Sequence, residues 1–239
     1  MIKLFSYPRL FAVADNNPFG LKVFAFLRLS GLAFEHAHIF DAKSAPRGQL
    51  PYIVDDDEAI GDSEAIIAHL IGKYGLAIDA SLTVAQRDTA HLVRRMLDGL
   101  YWVMSYSRWK DPEFWPQFRD AILRTHPEVT ADAMDAAQKY NFERYCYQGI
   151  GRFEPAQVYT KGLADLQVLA NLIGERDFLF GAKPCSTDAA IYGFLANIYF
   201  YEIDTPLKRF IASHGGLAQY CERMQARDRK STRLNSSHG

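Results

Sequence analysis

The stretch RGQLPYIVDDDEAIGDSEAIIAHL, residues 47–70, contains a β-hairpin that leads directly into a helix. Two apolar segments, Tyr52–Val54 and Ala59–Ile60, flank the acidic turn DDDE, which is the pattern of two antiparallel strands. From Ser63 to Tyr74 apolar residues recur at helical spacing on one face, and a glycine follows. The stretch therefore predicts a β-β-α unit.

A β-α-β unit precedes this hairpin. Ile2–Tyr7 and Phe34–Phe40 alternate apolar and polar residues, as short strands do. Between them, Asn17 followed by Pro18 is typical of a helix start, and Gly31 suits the helix end. A single helix that joins two strands favours a parallel pair, so the order of elements is that of a thioredoxin-like domain.

The pattern changes to helices after residues 76–81. No further strand is predicted, and apolar residues at a spacing of three and four indicate a long helix that includes Val93, Leu97, Leu100 and Met104. Further helices are predicted at 113–125, 130–149, 155–173, 186–200 and 207–226. The fold class is therefore α/β plus all-α, with a thioredoxin-like N-terminal domain over 1–76 and an all-helical C-terminal domain over 82–227.

Composition excludes several classes of protein. The net charge is -1, so no basic excess favours nucleic acid or an anionic membrane surface. The three cysteines are widely spaced, which disfavours a disulfide framework or a zinc site and fits a reducing compartment. The N-terminus MIKLFSYPRL lacks the features of a signal peptide, and no apolar run is long enough to span a bilayer. We therefore expect a cytoplasmic protein.

The last residues, 228–239, read DRKSTRLNSSHG. They resemble the in-frame translation of a common DNA-sequencing adapter, so we interpret them as a non-native tail and place the natural end near Arg227. The alternative is a genuine polar, disordered tail.

Three stretches carry a family resemblance: NPFGLKV at 17–23, residues 47–70, and FLFGAKPCSTDAAIYGFLA at 178–196 together with LAQYCERM at 217–224. The chain resembles the glutathione S-transferase superfamily, and in particular its metaxin-like and failed-axon-connections-like branch. The resemblance implies an all-helical glutathione-transferase C-terminal domain and glutathione as cosubstrate.

The resemblance assigns glutathione contacts to the 47–70 stretch. The Leu50-Pro51 bond is expected to be cis, which an X-Pro bond adopts at a cost of about 0.5–1 kcal/mol. The backbone of Leu50 would then pair with the cysteinyl unit of glutathione as one added strand. Ser63 and the helix N–H groups would bind the γ-glutamyl carboxylate, and Asp62 would accept from the ammonium group. Simple helix capping by Asp62 and Ser63 is the alternative, and both roles can coexist.

Thiol activation departs from the usual pattern of the superfamily. Many members use Ser, Tyr or Cys near the start of the first helix, where this chain has Asn17. The Asn17 amide could donate to the thiolate, or it could only cap its own helix. Tyr7, at the end of the first strand, is the other candidate donor, with aromatic packing as the alternative. The absence of a cysteine pair in N-P-F-G disfavours thiol-disulfide exchange.

Two other parts of the chain could contact a substrate. Arg9 or Asp15 could contact a substrate from the loop 8–16, or that loop could be a solvated insertion. Several aromatic residues of the helical domain could line an apolar cosubstrate pocket or simply pack in the core: Tyr101, Trp102, Tyr106, Trp109, Phe114 and Trp115. No residues have the spacing of a metal site.

Two functions remain open at this point. The first is a transferase in which the glutathione thiolate attacks an electrophilic small molecule, with Asn17 or Tyr7 next to the sulfur. The second is a non-catalytic binding or adaptor protein that keeps the fold. In both cases the resemblance implies a homodimer.

Overall fold

The computed structural model describes the backbone of residues 1–235 and the side chains of residues 1–227. The strands are β1 Ile2–Ser6, β2 Phe34–His38, β3 Tyr52–Asp55 and β4 Glu58–Gly61. They form one mixed sheet in the order β2-β1-β3-β4, with β1 parallel to β2 and antiparallel to β3. The predicted thioredoxin-like sheet is therefore confirmed.

Helices make up the rest of the molecule, and from residue 84 on every described regular element is helical. Their bounds are α1 Pro18–Leu29, α2 Ser63–Tyr74, α3 Val84–Trp109, α4 Trp115–Thr125, α5 Ala131–Gln148, α6 Pro155–Ile173, α7 Ser186–Tyr199, α8 Pro206–Ser213 and α9 Gly215–Asn235. The fold class is confirmed, while the boundaries 1–76 and 82–227 stay predictions. Within the described residues, no helix is both long enough and apolar enough to cross a membrane.

The prediction of a single helix over 207–226 is wrong. The chain forms α8 and α9, and His214 between them is extended, with ψ of 90°. Two glycines follow His214, and a Cβ atom at Gly216 would lie 3.0 Å from the Gly174 carbonyl oxygen. Glycine is unfavourable inside a helix, so this pair favours a break that apolar periodicity alone does not record. The proposed non-native tail, residues 228–239, has side chains outside the described residues.

Helix α1 is the central element of the core. Its residues from Leu21 to Leu27 are buried, with the sheet on one side and α7 on the other. The ring of Phe24 contacts Phe34 on β2, with ring centres 5.5 Å apart. On the opposite side, a Cβ atom at Gly193 of α7 would lie 2.5 Å from the carbonyl oxygen of Pro18. The two helices therefore pack backbone to backbone at the start of α1.

This contact generates a prediction. The substitution Gly193→Ala forces a methyl group against the backbone of α1, and we expect a loss of about 1–3 kcal/mol in the free energy of unfolding. The matched control is Gly99→Ala in α3, where nothing lies within 4 Å of the added Cβ. Because alanine favours a helix over glycine, this control should gain about 0.5–1 kcal/mol. Urea unfolding measures both; equal stability of Gly193→Ala and wild type would contradict the packing.

Candidate functional site

A cavity of about 610 Å³ lies between the N-terminal part of the chain and helices α3, α4 and α5. Tyr7 and the segment Asn16–Pro18 form one wall, and helical residues form the others. The structure therefore brings the two predicted thiol donors, Asn17 and Tyr7, to the same cavity. A volume of this size is typical of small-molecule sites.

Asn17 caps α1 with its side-chain oxygen, and its side-chain nitrogen stays available to donate a hydrogen bond. Its Oδ1 accepts a hydrogen bond from the N–H of Phe19 at 3.0 Å, so the capping interpretation describes this oxygen correctly. Within the described residues, its Nδ2 group has no hydrogen-bond partner. The side chain can thus cap the helix and still donate toward an anion in the cavity, where the helix N-terminus adds a favourable field.

Tyr7 is half-buried in the cavity wall. Burial raises its pKa, with smaller contributions in the same direction from Tyr101 and Asp15. A raised pKa keeps the phenol neutral near pH 7, so Tyr7 can offer an O–H donor but not a phenolate base.

A buried arginine fixes the loop that carries Asn17. Arg108 of α3 donates from Nη1 to the carbonyl oxygen of Asn16 at 2.8 Å, and from Nη2 to the carbonyl oxygen of Asn197 on α7. Its guanidinium lies over the ring of Tyr201 at 4.0 Å. The Tyr201 hydroxyl donates to the same Asn16 carbonyl at 3.2 Å. The conformation of the loop therefore depends on Arg108 of α3 and on Tyr201, which follows α7.

The loop 8–16 is not a solvated insertion. Leu10, Val13 and Asp15 in it are buried, and Asp15 is fully inaccessible. The Oδ1 atom of Asp15 accepts from the N–H of Asn17 at 2.7 Å, and a Cβ atom at Gly20 would lie 1.8 Å from its Oδ2. Asp15 therefore supports the start of α1 and does not line the cavity.

Leu50 and Pro51 lie directly before the inner strand β3, at its N-terminal end, and the peptide bond between them is cis. This confirms the expected geometry of the bond. Within the described residues, the N–H and C=O groups of Leu50 have no hydrogen-bond partner. Neither residue lines the cavity.

Asp62 and Ser63 form the start of α2, also outside the cavity wall. The Oδ1 atom of Asp62 accepts from the N–H groups of Glu64 and Ala65, at 2.9 and 3.1 Å. This is the capping arrangement, and it leaves Oδ2 uncommitted among the described residues. The hydroxyl of Ser63 accepts from Nζ of Lys22 at 3.1 Å and keeps its own hydrogen to donate.

Lys22 is a site residue that the sequence analysis missed. It is only 4% exposed and lies between α1 and α2, where it contacts both Ser63 and the carboxylate of Glu64. Burial lowers its pKa, and Glu64 acts in the opposite direction. Glu64 is also bound by Arg94 of α3 at 3.2 Å. A lysine within the apolar run of α1 was the available signal, because a buried ammonium group needs a partner.

The aromatic residues divide between two roles. Tyr101 and Trp109 line the cavity, whereas Trp102, Tyr106, Phe114 and Trp115 do not. Arg108 and Arg144 also line it, and sequence reasoning missed both. Among the described residues, no group of three or more His, Cys, Asp or Glu side chains could hold a metal ion.

Comparison with protein families gives two matches. Residues 18–114 match the family described as glutathione S-transferase N-terminal domain, and residues 162–224 match the family described as glutathione S-transferase, C-terminal domain. Together these segments cover more than half of the chain.

Three curated proteins are similar in sequence. The isoprene-epoxide–glutathione S-transferase of Rhodococcus sp. (strain AD45) is 30% identical, over 94% of this chain and 98% of its own length. Failed axon connections of Drosophila melanogaster is 28% identical, over 88% of this chain and 54% of its own length. Metaxin-3 of Xenopus laevis is 22% identical, over 86% of this chain and 70% of its own length.

Two solved structures share the fold. The β-etherase LigF from Sphingobium sp. strain SYK-6 superimposes with a TM-score of 0.68 at 16% identity, covering 98% of this chain and 99% of its own. A glutathione S-transferase from Methylobacterium radiotolerans JCM 2831, in complex with glutathione sulfonate, has a TM-score of 0.61 at 19% identity, covering 95% and 91%.

The environment of Asp15 generates a prediction about pH and stability. Burial raises its pKa from 3.8 to about 8, against the lowering effects of Ser6, the Asn17 N–H and Arg108. Between about pH 4 and about pH 8 the native state keeps a proton on Asp15 that the unfolded state has released. The contribution of Asp15 to the free energy of unfolding therefore falls as the pH rises from about 4 to about 8. The free energy of unfolding should change by at most about 1.4 kcal/mol per pH unit because of this one group.

The substitution Asp15→Asn removes this ionisation and keeps the oxygen that accepts from Asn17. We therefore expect the variant to gain stability over wild type as pH rises from 5 to 8, measured by urea unfolding at each pH. Asp88→Asn, at an exposed position of α3, is the control. A stability difference between Asp15→Asn and wild type that does not change with pH would contradict the assignment.

Proposed function

The chain belongs to the glutathione S-transferase family, and on this premise we propose that it is a glutathione-dependent transferase that conjugates glutathione to an electrophilic small molecule. The main support for this proposal is the position of Asn17, the N-cap of α1, in the wall of a large cavity. Its amide nitrogen has no hydrogen-bond partner among the described residues. The thiol sulfur of glutathione would lie next to Asn17, and the electrophile would occupy the cavity.

Three groups would hold the peptide part of glutathione outside the cavity. The unpaired backbone groups of Leu50, before Pro51, would bond the cysteinyl unit as an added strand. Ser63 would donate its hydroxyl hydrogen to the γ-glutamyl carboxylate at the N-terminus of α2. Asp62 would accept from the ammonium group with the oxygen that does not cap the helix.

Lys22 supports this arrangement. It contacts Ser63 from within α1, and α1 begins at Asn17, so the predicted carboxylate site and the predicted sulfur site are connected by one helix. The ammonium group of Lys22 also adds positive charge next to Ser63, which favours a carboxylate there. Glu64 balances part of that charge.

Activation of the thiol requires a moderate free energy. A free cysteine thiol has a pKa near 8.5, and lowering it by two units takes about 2.7 kcal/mol. One hydrogen bond to a charged acceptor contributes about 1.5–3 kcal/mol. A single hydrogen bond from Asn17, together with the field of the α1 N-terminus, is therefore large enough to lower the thiol pKa by two units. Tyr7 is the second candidate donor in the same cavity.

The related transferase of Rhodococcus, by its name, acts on an epoxide, and an epoxide carbon is one example of the electrophile proposed here. The free cysteines Cys146, Cys185 and Cys221 fit the reducing cytoplasm, where we place the protein. We also propose a homodimer, which light scattering of the purified protein would test.

Ser63 provides the first test. We expect Ser63→Ala to lose retention on immobilised glutathione and to raise the Kd for glutathione about 10-fold, because one hydrogen bond to a charged group is removed. Ser213→Ala, at an exposed position at the end of α8, should bind as wild type does. Calorimetry with glutathione measures both. Equal affinity of wild type and Ser63→Ala would remove Ser63 from the site.

Asn17 provides the second test, with conjugation of 1-chloro-2,4-dinitrobenzene as the assay. Asn17→Asp keeps the oxygen that caps α1 but loses the amide donor and adds a negative charge. We expect kcat/KM to fall at least about 10-fold and the pKa of bound glutathione, followed by thiolate absorbance, to rise. Tyr7→Phe tests the other donor in the same way.

The outcomes separate the two functions. Activity that survives both Asn17→Asp and Tyr7→Phe would reject the proposed donors. Wild-type protein that neither binds glutathione nor conjugates it would favour the alternative, a non-catalytic binding or adaptor protein with this fold.

A further inference from the structure

The walls of the cavity beside Asn17 have an uneven distribution of charge. Two guanidinium groups line it, those of Arg108 and Arg144, and Glu128 is the carboxylate that lines it. The Glu128 side chain is 63% exposed and lies 3.6 Å from Nδ1 of His126. Among the described residues, neither arginine forms an ion pair with a carboxylate. The cavity therefore has an excess of positive charge although the whole chain has a net charge of -1.

The two arginines differ in how many of their N–H groups already donate hydrogen bonds within the protein. Arg108 is 7% exposed, and its terminal nitrogens donate to the carbonyl oxygens of Asn16 and Asn197. Its role is to hold the loop and α7 together. Arg144 of α5 is half-buried and donates from Nη1 to Oδ1 of Asn141 at 3.0 Å. Since a guanidinium has five N–H groups, Arg144 keeps donors for a further partner.

Arg144 is held in place by aromatic rings. Its guanidinium lies 5.1 Å from the ring centre of Trp102 and 5.7 Å from that of Tyr140. Burial lowers the pKa of Arg144, but the phenols of Tyr101, Tyr145 and Tyr140 raise it overall, and Tyr101 also forms a side-chain hydrogen bond with the guanidinium. A cation held by flat rings and a neutral amide is preorganised to receive an anion.

The remaining lining favours a flat, aromatic molecule. Aromatic rings surround the cavity on several sides, and aliphatic side chains of α4 and α5 fill the spaces between them. The lining rings belong to Tyr7, Phe40, Tyr101, Trp109, Phe118 and Tyr140. At the roughly 30 Å³ that one water molecule occupies in the liquid, the cavity has room for about 20 non-hydrogen atoms.

We propose that this cavity selects an aromatic electrophile that carries an acidic group, and that Arg144 receives this group. The inference rests on the proposed function for the electrophilic part only, since recognition of the aromatic acid needs no glutathione. In an aryl halide of this class, the thiolate sulfur forms a bond to the ring carbon, the carbon–halogen bond breaks, and halide leaves with the electron pair. The thiol proton goes to solvent.

The binding test uses two probes that lack a leaving group and differ only in charge, 3,5-dinitrobenzoate and 3,5-dinitrobenzamide. We expect wild-type protein without glutathione to bind the benzoate at least 10-fold more tightly than the amide. In Arg144→Gln this ratio should fall to about one, and in Arg144→Lys it should be intermediate. Lys139→Gln removes a charge from an exposed position of α5 and should keep the wild-type ratio. Calorimetry at fixed ionic strength measures each Kd.

The conjugation test uses 4-chloro-3,5-dinitrobenzoate and 4-chloro-3,5-dinitrobenzamide, each corrected for its uncatalysed rate with glutathione. We expect Arg144→Gln to raise KM for the benzoate about 10-fold and to leave KM for the amide unchanged. A wild-type binding ratio near one, or a ratio that Arg144→Gln does not change, would overturn the inference. Preferred binding of the benzoate by a protein that neither binds glutathione nor conjugates it would support the acidic-aromatic site and reject the proposed transferase function.

Discussion

The guanidinium of Arg108 connects the parts of the molecule that form the site. A buried charge is costly unless hydrogen bonds and polarisable groups replace its water. Arg108 finds these in the carbonyl oxygens of Asn16 and Asn197 and in the ring of Tyr201. Because each partner belongs to a different segment, the charge is satisfied only when α3, α7 and the loop before α1 are all in place. The orientation of Asn17 follows from this requirement.

Charged groups separate the proposed site into two environments. Beside Ser63, Lys22 and Arg94 share the carboxylate of Glu64, so these three side chains carry one positive charge in excess. In the cavity, Arg144 has aromatic and amide neighbours, so its charge remains available to a ligand. Helix α1 runs between the two environments. Under the proposed function, one side of the site would hold glutathione and the other would hold the electrophile.

The sequence was informative wherever a local pattern determines structure. The segment 47–70 predicts its hairpin and helix because turn residues and apolar spacing act over a few residues, and Asn17-Pro18 predicts the start of α1 for the same reason. The single helix expected over 207–226 was wrong because apolar spacing alone does not record the break at His214, which precedes the pair Gly215-Gly216. Lys22 was missed because its partners Ser63 and Glu64 lie far away in sequence, and Arg144 because the cavity that it lines is built from distant segments. Asp15, a candidate substrate contact, instead accepts a hydrogen bond at the start of α1.

The N-terminal and C-terminal halves of the chain share one hydrophobic core. One continuous hydrophobic core contains Leu4 of the sheet, Phe26 of α1, Leu100 of α3 and Phe194 of α7. A fragment ending near residue 76 would expose the side of α1 that α7 covers, and an exposed apolar surface of this kind promotes association. We therefore expect the two halves to unfold as one cooperative unit, and we expect a fragment of either half to be poorly suited to independent expression.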